Sequence, residues 1–317
     1  MDLRQLRYFV VLAGQRHFGR AADILHIAQP ALTRQIKLLE EELGVQLFER
    51  HARGATPTDD AALLLERASF ILRSADQAKQ DMMARQREPS GPVALGMSPG
   101  LATFLTAPLA VAMSQRYPQV RLQIIEQFND VLYAQLLNGA VDLAVMNGPS
   151  TMPKVVVSTP LTLVETMCLI GLAKDSRVKG RHLSVADLDA VPLIFTGAAH
   201  GGVRYELEAA AAHANVVLKS VIEVQSIEVA KRLVVAGMGL TVHFAAPVQD
   251  DVDAGILRAV PIEELVIRRF IARSAEHPPS SAGVALSKML KTVVSELVSN
   301  GKWPNAVLEP EFKHNAD

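Results

Sequence analysis

The stretch AQPALTRQIKLLEEELG, residues 28–44, gathers hydrogen-bonding side chains where a helix begins. Proline is tolerated at the first helical position because its missing N–H would have no partner there, so Pro30 marks a helix start. Around it stand Gln29, Thr33 and Arg34, with Lys37 one turn beyond Thr33. A helix start exposes backbone N–H groups and the positive end of the helix dipole. These side-chain types can read base edges: glutamine pairs with adenine, threonine contacts a base or a thymine methyl, and arginine reaches guanine or phosphate. In a helix-turn-helix the recognition helix points such amino-terminal residues into the major groove. Lys37 would fall toward the backbone, and Arg50 and Arg53 would meet phosphate or an adjacent minor groove. The competing explanation is an ordinary solvated helix. Charge does not separate the two, because residues 1–58 hold eight basic side chains against six acidic ones, a net of +2. Position does: the basic residues flank the helix start and the segment after it, while Glu40, Glu41 and Glu42 sit at the far end.

A second set of polar residues lies at strand-to-helix junctions. GMSPGLATF ends a strand and opens a helix, so Ser98 can cap it, and the backbone from Pro99 through Gly100 and Leu101 can present N–H groups to an anion. Asn129 follows IIEQF at the edge of the next strand, and FTGAAHGGVR brings Thr196, His200 and Arg204 to a later helix start. Together they suggest a site for a small organic anion, with Arg204 or His200 as countercharge. The plainer alternatives are a capping serine, a loop histidine, and an Arg204 paired with Glu208 four residues along the same helix.

Catalytic chemistry has no comparable pattern. The chain lacks a G-x-S-x-G elbow, a phosphate-binding P-loop and an H-E-x-x-H helix. Its nine histidines are scattered singly, with no Cys/His cluster at metal spacing. Glu126, Asp130 and Asp142 lie near one sheet edge, but Asp142 reads as a strand-start residue. No catalytic residue, metal ligand or cofactor is expected. One cysteine, Cys168, excludes an intramolecular disulfide and suits a reducing cytosol. The amino terminus lacks the long apolar run of a signal peptide, and the most apolar window, RLVVAGMGLTVHFAAPV, is too short and glycine-rich to span a bilayer. A cytoplasmic protein without membrane contact is expected. With 317 residues, 49% of them hydrophobic, and a net charge of −1, it is long enough for two or three domains and must grip nucleic acid through a local patch.

Three kinds of element must position these residues. In 1–58, Leu6, Phe9, Val10 and Ala13 form one amphipathic stripe that Gly14 can end. FGRAADILH follows as a short helix, with Ala21, Ala22 and Leu25 as its buried candidates. The helix from Pro30 carries Ile36, Leu39 and Leu43 on its core face, leaves Gln35 and the acidic run to water, and is capped by Gly44. VQLFERHARGATPTD then reads as a two-stranded wing turning at Gly54. In 59–88, free of glycine and proline, Ala61, Leu64, Ala68, Ile71, Ala75, Ala78 and Met82 repeat at three and four residues, a coiled-coil seam. The plainer alternative is a single helix lying on its own domain, but a lone helix of this length has nothing else to bury that seam, so it should dimerise. After the PSGPV break, strands and helices alternate over 92–300 in two βαβαβ groups, which predicts two α/β lobes, each with its own sheet, around a cleft. Lobe I takes 92–164 plus 266–300 and lobe II takes 165–265, with LVETMCLIG and RRFIAR as connecting strands. Residues 301–317 read as a partly disordered tail.

LRYFV, HFGRAADILHIAQPALTRQI and LEEELGVQLFER together closely resemble the amino-terminal domain of LysR-type transcriptional regulators. The order that follows, a linker helix and then a two-lobed domain of the periplasmic-binding-protein type (type II), extends the likeness over nearly the whole chain. The resemblance implies a multidomain α and α/β protein with a winged helix-turn-helix head. It implies a dimer of dimers on double-stranded DNA, at an imperfect palindrome commonly of T-N11-A type, with RNA polymerase as a further candidate partner. It also implies a small-molecule co-inducer in the cleft that rearranges the dimers, DNA bending and transcription. Ser98, Asn129 and Thr196 fall on the family's carboxylate-contacting positions. A solute-binding protein would share the two lobes but needs no DNA-binding head; a regulator without effector is the other alternative. The peroxide sensing of some relatives needs a second cysteine. Where the family usually has a proline after the last strand of lobe II, this chain has GLTVHFAAP, so His243 and Phe244 could narrow the pocket or wall it. LIFTGAAHGGVR and KWPNAVLE lean toward the nitrogen-assimilation-control branch.

Overall fold

The computed structural model describes residues 1–51, 54–84, 88–147, 155–197, 202–276 and 278–309, with the backbone alone for Arg50, Glu66, Arg73, Gln77, Gln80, 81–84 and Thr162. The chain forms two compact units, Met1–Arg87 and Glu88–Asp317.

In the first unit α1 (Leu3–Gln15) opens with a capping box: Asp2 accepts from the Gln5 amide, and the Gln5 side chain accepts from the Asp2 amide. The helix runs through Gly14 and closes at Arg16 in the left-handed conformation, φ 51°, not at the glycine. The reason is the wing. The Arg16 carbonyl receives the Ala55 amide at 2.9 Å, and a Cβ on Gly54, at φ +143°, would lie 2.4 Å from that carbonyl oxygen. The end of α1 is therefore set by what docks on it. α2 (Phe18–Ile24) buries Ala21 and Ala22, with Leu25 half-buried beyond it.

α3 (Gln29–Leu43) starts one residue before Pro30 and ends at Gly44, φ 71°. Leu32, Ile36 and Leu39 are its buried residues, whereas Leu43 is 37% exposed. The core stripe thus lies one turn earlier than the spacing predicts, because Leu32 takes the buried place and the last turn runs past the core. Glu40 is not a solvated acid: its Oε1 accepts from the Leu47 and Phe48 amides at 2.8 and 3.2 Å, fixing the turn into the wing. The wing strands β1 (Phe48–His51) and β2 (Gly54–Pro57) pair antiparallel, and Phe48 packs against Phe9 and Phe18 at centroid distances of 5.6 and 6.3 Å.

α4 (Asp59–Ala84) follows. Ala61 and Ala68 are fully buried in the core formed by α1–α3, and Leu64 and Ile71 pack on it half-buried. Farther along, Ala75 is half-buried and Ala78 exposed. The first half of the heptad seam is thus buried by the head itself, since alanines let α1 approach closely; the expectation that nothing else could bury it is corrected for that half.

The second unit begins as predicted with β3 (Gly91–Met97), α5 (Pro99–Arg116), β4 (Val120–Glu126), α6 (Asn129–Leu137) and β5 (Leu143–Asn147), β3 lying parallel to both β4 and β5. β6 (Val156–Leu172) then leads into β7 (Pro192–Thr196), α7 (Gly202–His213), β8 (Lys219–Val224), α8 (Ile227–Val235), β9 (Thr241–His243), α9 (Gln249–Asp253), β10 (Leu257–Ser274), α10 (Ser281–Ser299) and β11 (Ala306–Leu308). β7 and β8 are parallel, as expected of the second group.

β7 and β8 form a two-stranded sheet of their own in lobe II, but a seven-stranded sheet runs through both lobes. β6 and β10, of 17 and 18 residues, pair antiparallel along almost their full length and carry one ladder through both. The sheet order is β11-β6-β10-β5-β3-β4, with β9 joining β6. The register breaks between Pro261 and Val266, where Cys168 and Thr166 are the successive partners. An extra stretch on β10 there lets the strand bend from one lobe into the other. The predicted connecting strands lie within β6 and β10.

The tail is ordered through Glu309. Trp303 is buried, standing edge-on to Phe104 at 4.7 Å, and β11 pairs with β6. These contacts order residues 301–309 of the segment expected to be partly disordered over 301–317; residues 310–317 lie outside the described ones. Among the described residues no helix is long and apolar enough to cross a membrane.

The two left-handed glycines of the head should differ sharply in tolerance. Gly44→Ala has open space around its Cβ and should cost only the left-handed penalty of roughly 1–2 kcal/mol. Gly54→Ala adds a collision with the Arg16 carbonyl and should cost clearly more, lowering the urea midpoint of head unfolding further than Gly44→Ala does.

Candidate functional site

Two surfaces carry the chemistry, one in each unit. On the first, Gln29, Pro30, Arg34 and Lys37 are exposed and Thr33 is half-buried. Ala28, the residue before α3, contributes no side-chain cap, so nothing of its own blocks the helix start. Lys37 sits 3.5 Å from Glu41 with both side chains largely in water, a contact too screened to hold it from a phosphate. Arg50 is on β1, but its side chain and all of Arg53 lie outside the described residues.

On the second unit a cleft of about 560 Å³, including its open mouth, lies where strand ends meet helix starts. Four helices begin on it: α5 through Ser98, Pro99 and Gly100, α6 through Phe128 and Asn129, α7 through Gly202 and Val203, and α8 through Gln225 and Ile227. Each start brings backbone N–H groups and a partial positive charge. Asn147, Thr196, Gly197, His243 and Phe244 complete the lining. Among the described lining residues no side chain is charged.

The structure sorts the expected residues. Ser98, Pro99, Gly100, Asn129 and Thr196 line the cleft. Ser98 precedes α5 but makes no capping hydrogen bond, so the capping reading fails and its hydroxyl is not spent on the helix. Leu101 is removed from the site: its side chain is in the core, and its amide donates to the Ser98 carbonyl at 3.0 Å. Arg204 is removed too. Its guanidinium bonds Glu208 at 2.8 Å and Glu223 at 2.7 and 3.2 Å, lies over the Phe195 ring, and is held above its usual pKa first by the Glu223 and then by the Glu208 bonds. Its countercharge is consumed within the lobe. His200 lies outside the described residues.

Two buried polar atoms in the lining have no partner, Thr196 Oγ1 and His243 Nδ1. Thr196 is 3% exposed and His243 8%. Their strands are neighbours, since Leu193 bridges Leu240 in parallel, and that register sets Thr196 beside His243. Burial pushes the His243 imidazole down to about 4; the Arg269 guanidinium acts the same way, against an opposing contact with the Phe244 backbone. A neutral imidazole offers one donor and one acceptor. Gly100 makes room for it, as a Cβ there would lie 2.8 Å from His243 Cε1. His243 and Phe244 thus wall the pocket, the second edge-on to the first at 5.5 Å.

Phe128, Asn147, Gly202, Val203, Gln225 and Ile227 are lining residues that sequence reasoning missed. All sit at the ends of predicted strands or the beginnings of predicted helices, so the junctions were findable; which junction residues face inward was not. Asn129 Nδ2 donates to the Asn147 carbonyl at 3.0 Å, tying two of these junctions together. Cys168 is buried beside them, its thiol pushed up to about 12 by burial, and is inert.

The low pKa of His243 links folding to pH. The unfolded chain binds this proton below about pH 6.5 and the folded chain only near 4, so stability must fall as pH drops through that window. Comparing urea midpoints of the full chain and His243→Gln from pH 7 to pH 4 should show the wild type losing on the order of 3 kcal/mol more than the variant by the acid end.

Comparison with known proteins agrees with both surfaces. Residues 3–62 match the bacterial regulatory helix-turn-helix protein, lysR family, and residues 86–294 match the LysR substrate binding domain. The HTH-type transcriptional regulator BbuR of Bordetella bronchiseptica is 29% identical over 308 residues, 96% of this chain and 93% of BbuR. The nitrogen assimilation regulatory protein nac of Escherichia coli K12 is 32% identical over 243 residues, 76% of this chain and 78% of nac, which is the support the branch reading has. A full-length OxyR variant from Pseudomonas aeruginosa shares the fold at a TM-score of 0.71 and 24% identity, covering 98% of this chain and 99% of that one. The chain belongs to the LysR family of DNA-binding transcriptional regulators.

Proposed function

We propose that the first turn of α3, through Gln29, Pro30, Thr33 and Arg34, reads operator DNA. Lys37, Arg50 and Arg53 contact phosphates or the adjacent groove in this reading. The exposure of Gln29, Pro30 and Arg34 and the uncapped helix start support it. The protein works in the cytoplasm as a regulator without catalytic activity. Its head spans 1–58, its linker helix 59–88, and its effector domain 92–300, with lobe I over 92–164 plus 266–300 and lobe II over 165–265. The α4 seam pairs with a second copy through Ala75, Ala78 and Met82, the last with its side chain outside the described ones, and with Leu64, Ala68 and Ile71 buttressing it; two such dimers form the tetramer on a T-N11-A type palindrome.

The cleft binds a small organic anion. The observation that carries this is the pair of orphaned buried atoms, Thr196 Oγ1 and His243 Nδ1, in a lining where four helix starts converge. An unpaired buried polar atom costs about 1–3 kcal/mol, which a bound ligand relieves. With Arg204 committed elsewhere, the anion's charge is met by backbone N–H groups, by Ser98 and Thr196 hydroxyls and by the Asn129 amide. Anions at helix starts need no cationic side chain.

Gel-shift titration on the intergenic DNA upstream of the protein's own gene tests the first reading. Arg34→Ala should weaken binding by about 10- to 100-fold, the worth of a lost base or phosphate contact; equal binding by the variant would sink the assignment of α3. For the cleft, a panel of small carboxylates is screened by thermal shift of the full chain. The carboxylate that stabilises the wild type should bind Thr196→Val and Ser98→Ala at least tenfold more weakly. Unchanged affinity in both would mean the ligand binds elsewhere, and no stabilising carboxylate at all would favour a regulator that needs no such effector.

A further inference from the structure

Beneath the cleft a buried chain of bonds reaches the carboxyl-terminal segment. Arg269 and Glu165, 3% and 0% exposed, form an ion pair with Nη2 and Nε of the arginine 2.6 and 2.8 Å from Glu165 Oε2. The other carboxylate oxygen accepts from Trp303 Nε1 at 2.9 Å. The remaining arginine nitrogen, Nη1, donates to Asn147 Oδ1 at 2.6 Å, and the guanidinium carbon stands 4.4 Å from the centre of the Phe244 ring. Asn147 and Phe244 both line the cleft. On its far side the segment is fastened again: the Thr166 amide donates to the Asn305 carbonyl at 2.9 Å and Asn305 Nδ2 to Cys168 Sγ at 3.1 Å.

We propose that Arg269 is a positioning residue for the cleft, and that through it the shape of the cleft and the docking of residues 302–309 on β6 are coupled. This rests on the cleft being the effector site and adds a regulatory output to it. The physical argument is that one guanidinium serves both ends. Its planar fork cannot move toward Asn147 and Phe244 without moving away from Glu165, and Glu165 cannot follow without leaving the Trp303 N–H. Glu165, Arg269, Trp303 and Phe244 are buried and Asn147 is half-buried where it faces the cleft, so a bond broken at the carboxylate is not replaced by water. A ligand that shifts Asn147 or Phe244 therefore changes how firmly Trp303 and β11 are held, and by linkage loosening Trp303 changes the cleft equally.

Trp303 is the only tryptophan in the chain, so its fluorescence reports this segment without labelling. The test uses the full chain and no ligand, which keeps its failure separate from failure of the effector reading. Asn147→Ala removes the acceptor at the cleft end. It should shift Trp303 emission to longer wavelength and raise amide exchange across 306–308 about tenfold, the factor that corresponds to roughly 1.4 kcal/mol. In the other direction Trp303→Phe keeps a ring but loses the N–H, and should move the side-chain resonances and the acid titration of His243, which stacks edge-on to Phe244. Leu188→Ala, a buried truncation that removes no hydrogen bond, controls for general loosening and should move neither readout. Wild-type Trp303 emission and exchange in Asn147→Ala, an unmoved His243 in Trp303→Phe, or equal changes in Leu188→Ala would each overturn the coupling.

Discussion

The second unit depends on one buried ion pair. Glu165 sits on β6 and Arg269 on β10, the two strands that run through both lobes. Taking two charges out of water is expensive, and an isolated pair often fails to recover the cost. Here each remaining polar atom has a partner: Trp303 satisfies the second carboxylate oxygen, Asn147 takes the outer guanidinium nitrogen, and Phe244 faces the cation. Removing one partner would leave the other buried and uncompensated, at about 3–5 kcal/mol. That penalty fixes the crossing strands to each other where they hand over from one lobe to the next. It also pins the tail, which is why 301–309 fold although their composition suggests otherwise.

The same logic of placing polar groups explains both working surfaces. A strand that ends and a helix that begins leave backbone groups without partners. In the cleft four such starts face one space; α5 and α6 have no side-chain cap, whereas Ser226 caps α8, and the lining is filled with small or neutral residues. In the head, Ala28 before α3 offers no side-chain cap and Pro30 has no N–H to satisfy, so the first turn stays open to an outside partner.

How much of this the sequence disclosed varied with the physics involved. Periodicity revealed α1 and the alternating strands and helices, because burial repeats with the period of the element. It misjudged Leu43 and Leu32, since which turn of α3 touches α1 and α2 is a tertiary matter. The end of α1 escaped too: Gly14 was the obvious stop, but the Arg16 carbonyl is claimed by the wing some forty residues later. In the site, Ser98, Asn129 and Thr196 were legible because junction residues follow from element order. Arg204 misled because a cation near a helix start looks available until Glu223, on another strand, is seen to hold it. Asn147 and Trp303 were invisible, as their roles exist only through Arg269.

The fate of the arginines accounts for the character of the cleft. Arg204, next to the lining Val203, and Arg269, bonded to the lining Asn147, are locked by carboxylates of their own lobe or strand pair. A free guanidinium in the lining would bind anions indiscriminately, and Coulomb attraction at a few ångströms depends little on the shape of the partner. Helix starts and single hydroxyls act differently, because N–H and O–H bonds weaken steeply away from their preferred directions. A cleft lined this way discriminates by geometry. In the proposed reading its selectivity rests on how those neutral groups are placed, with Gly100 beneath His243 and Arg269 behind Asn147 and Phe244. The charge that the chain keeps out of the cleft is thus the charge that holds the cleft in shape.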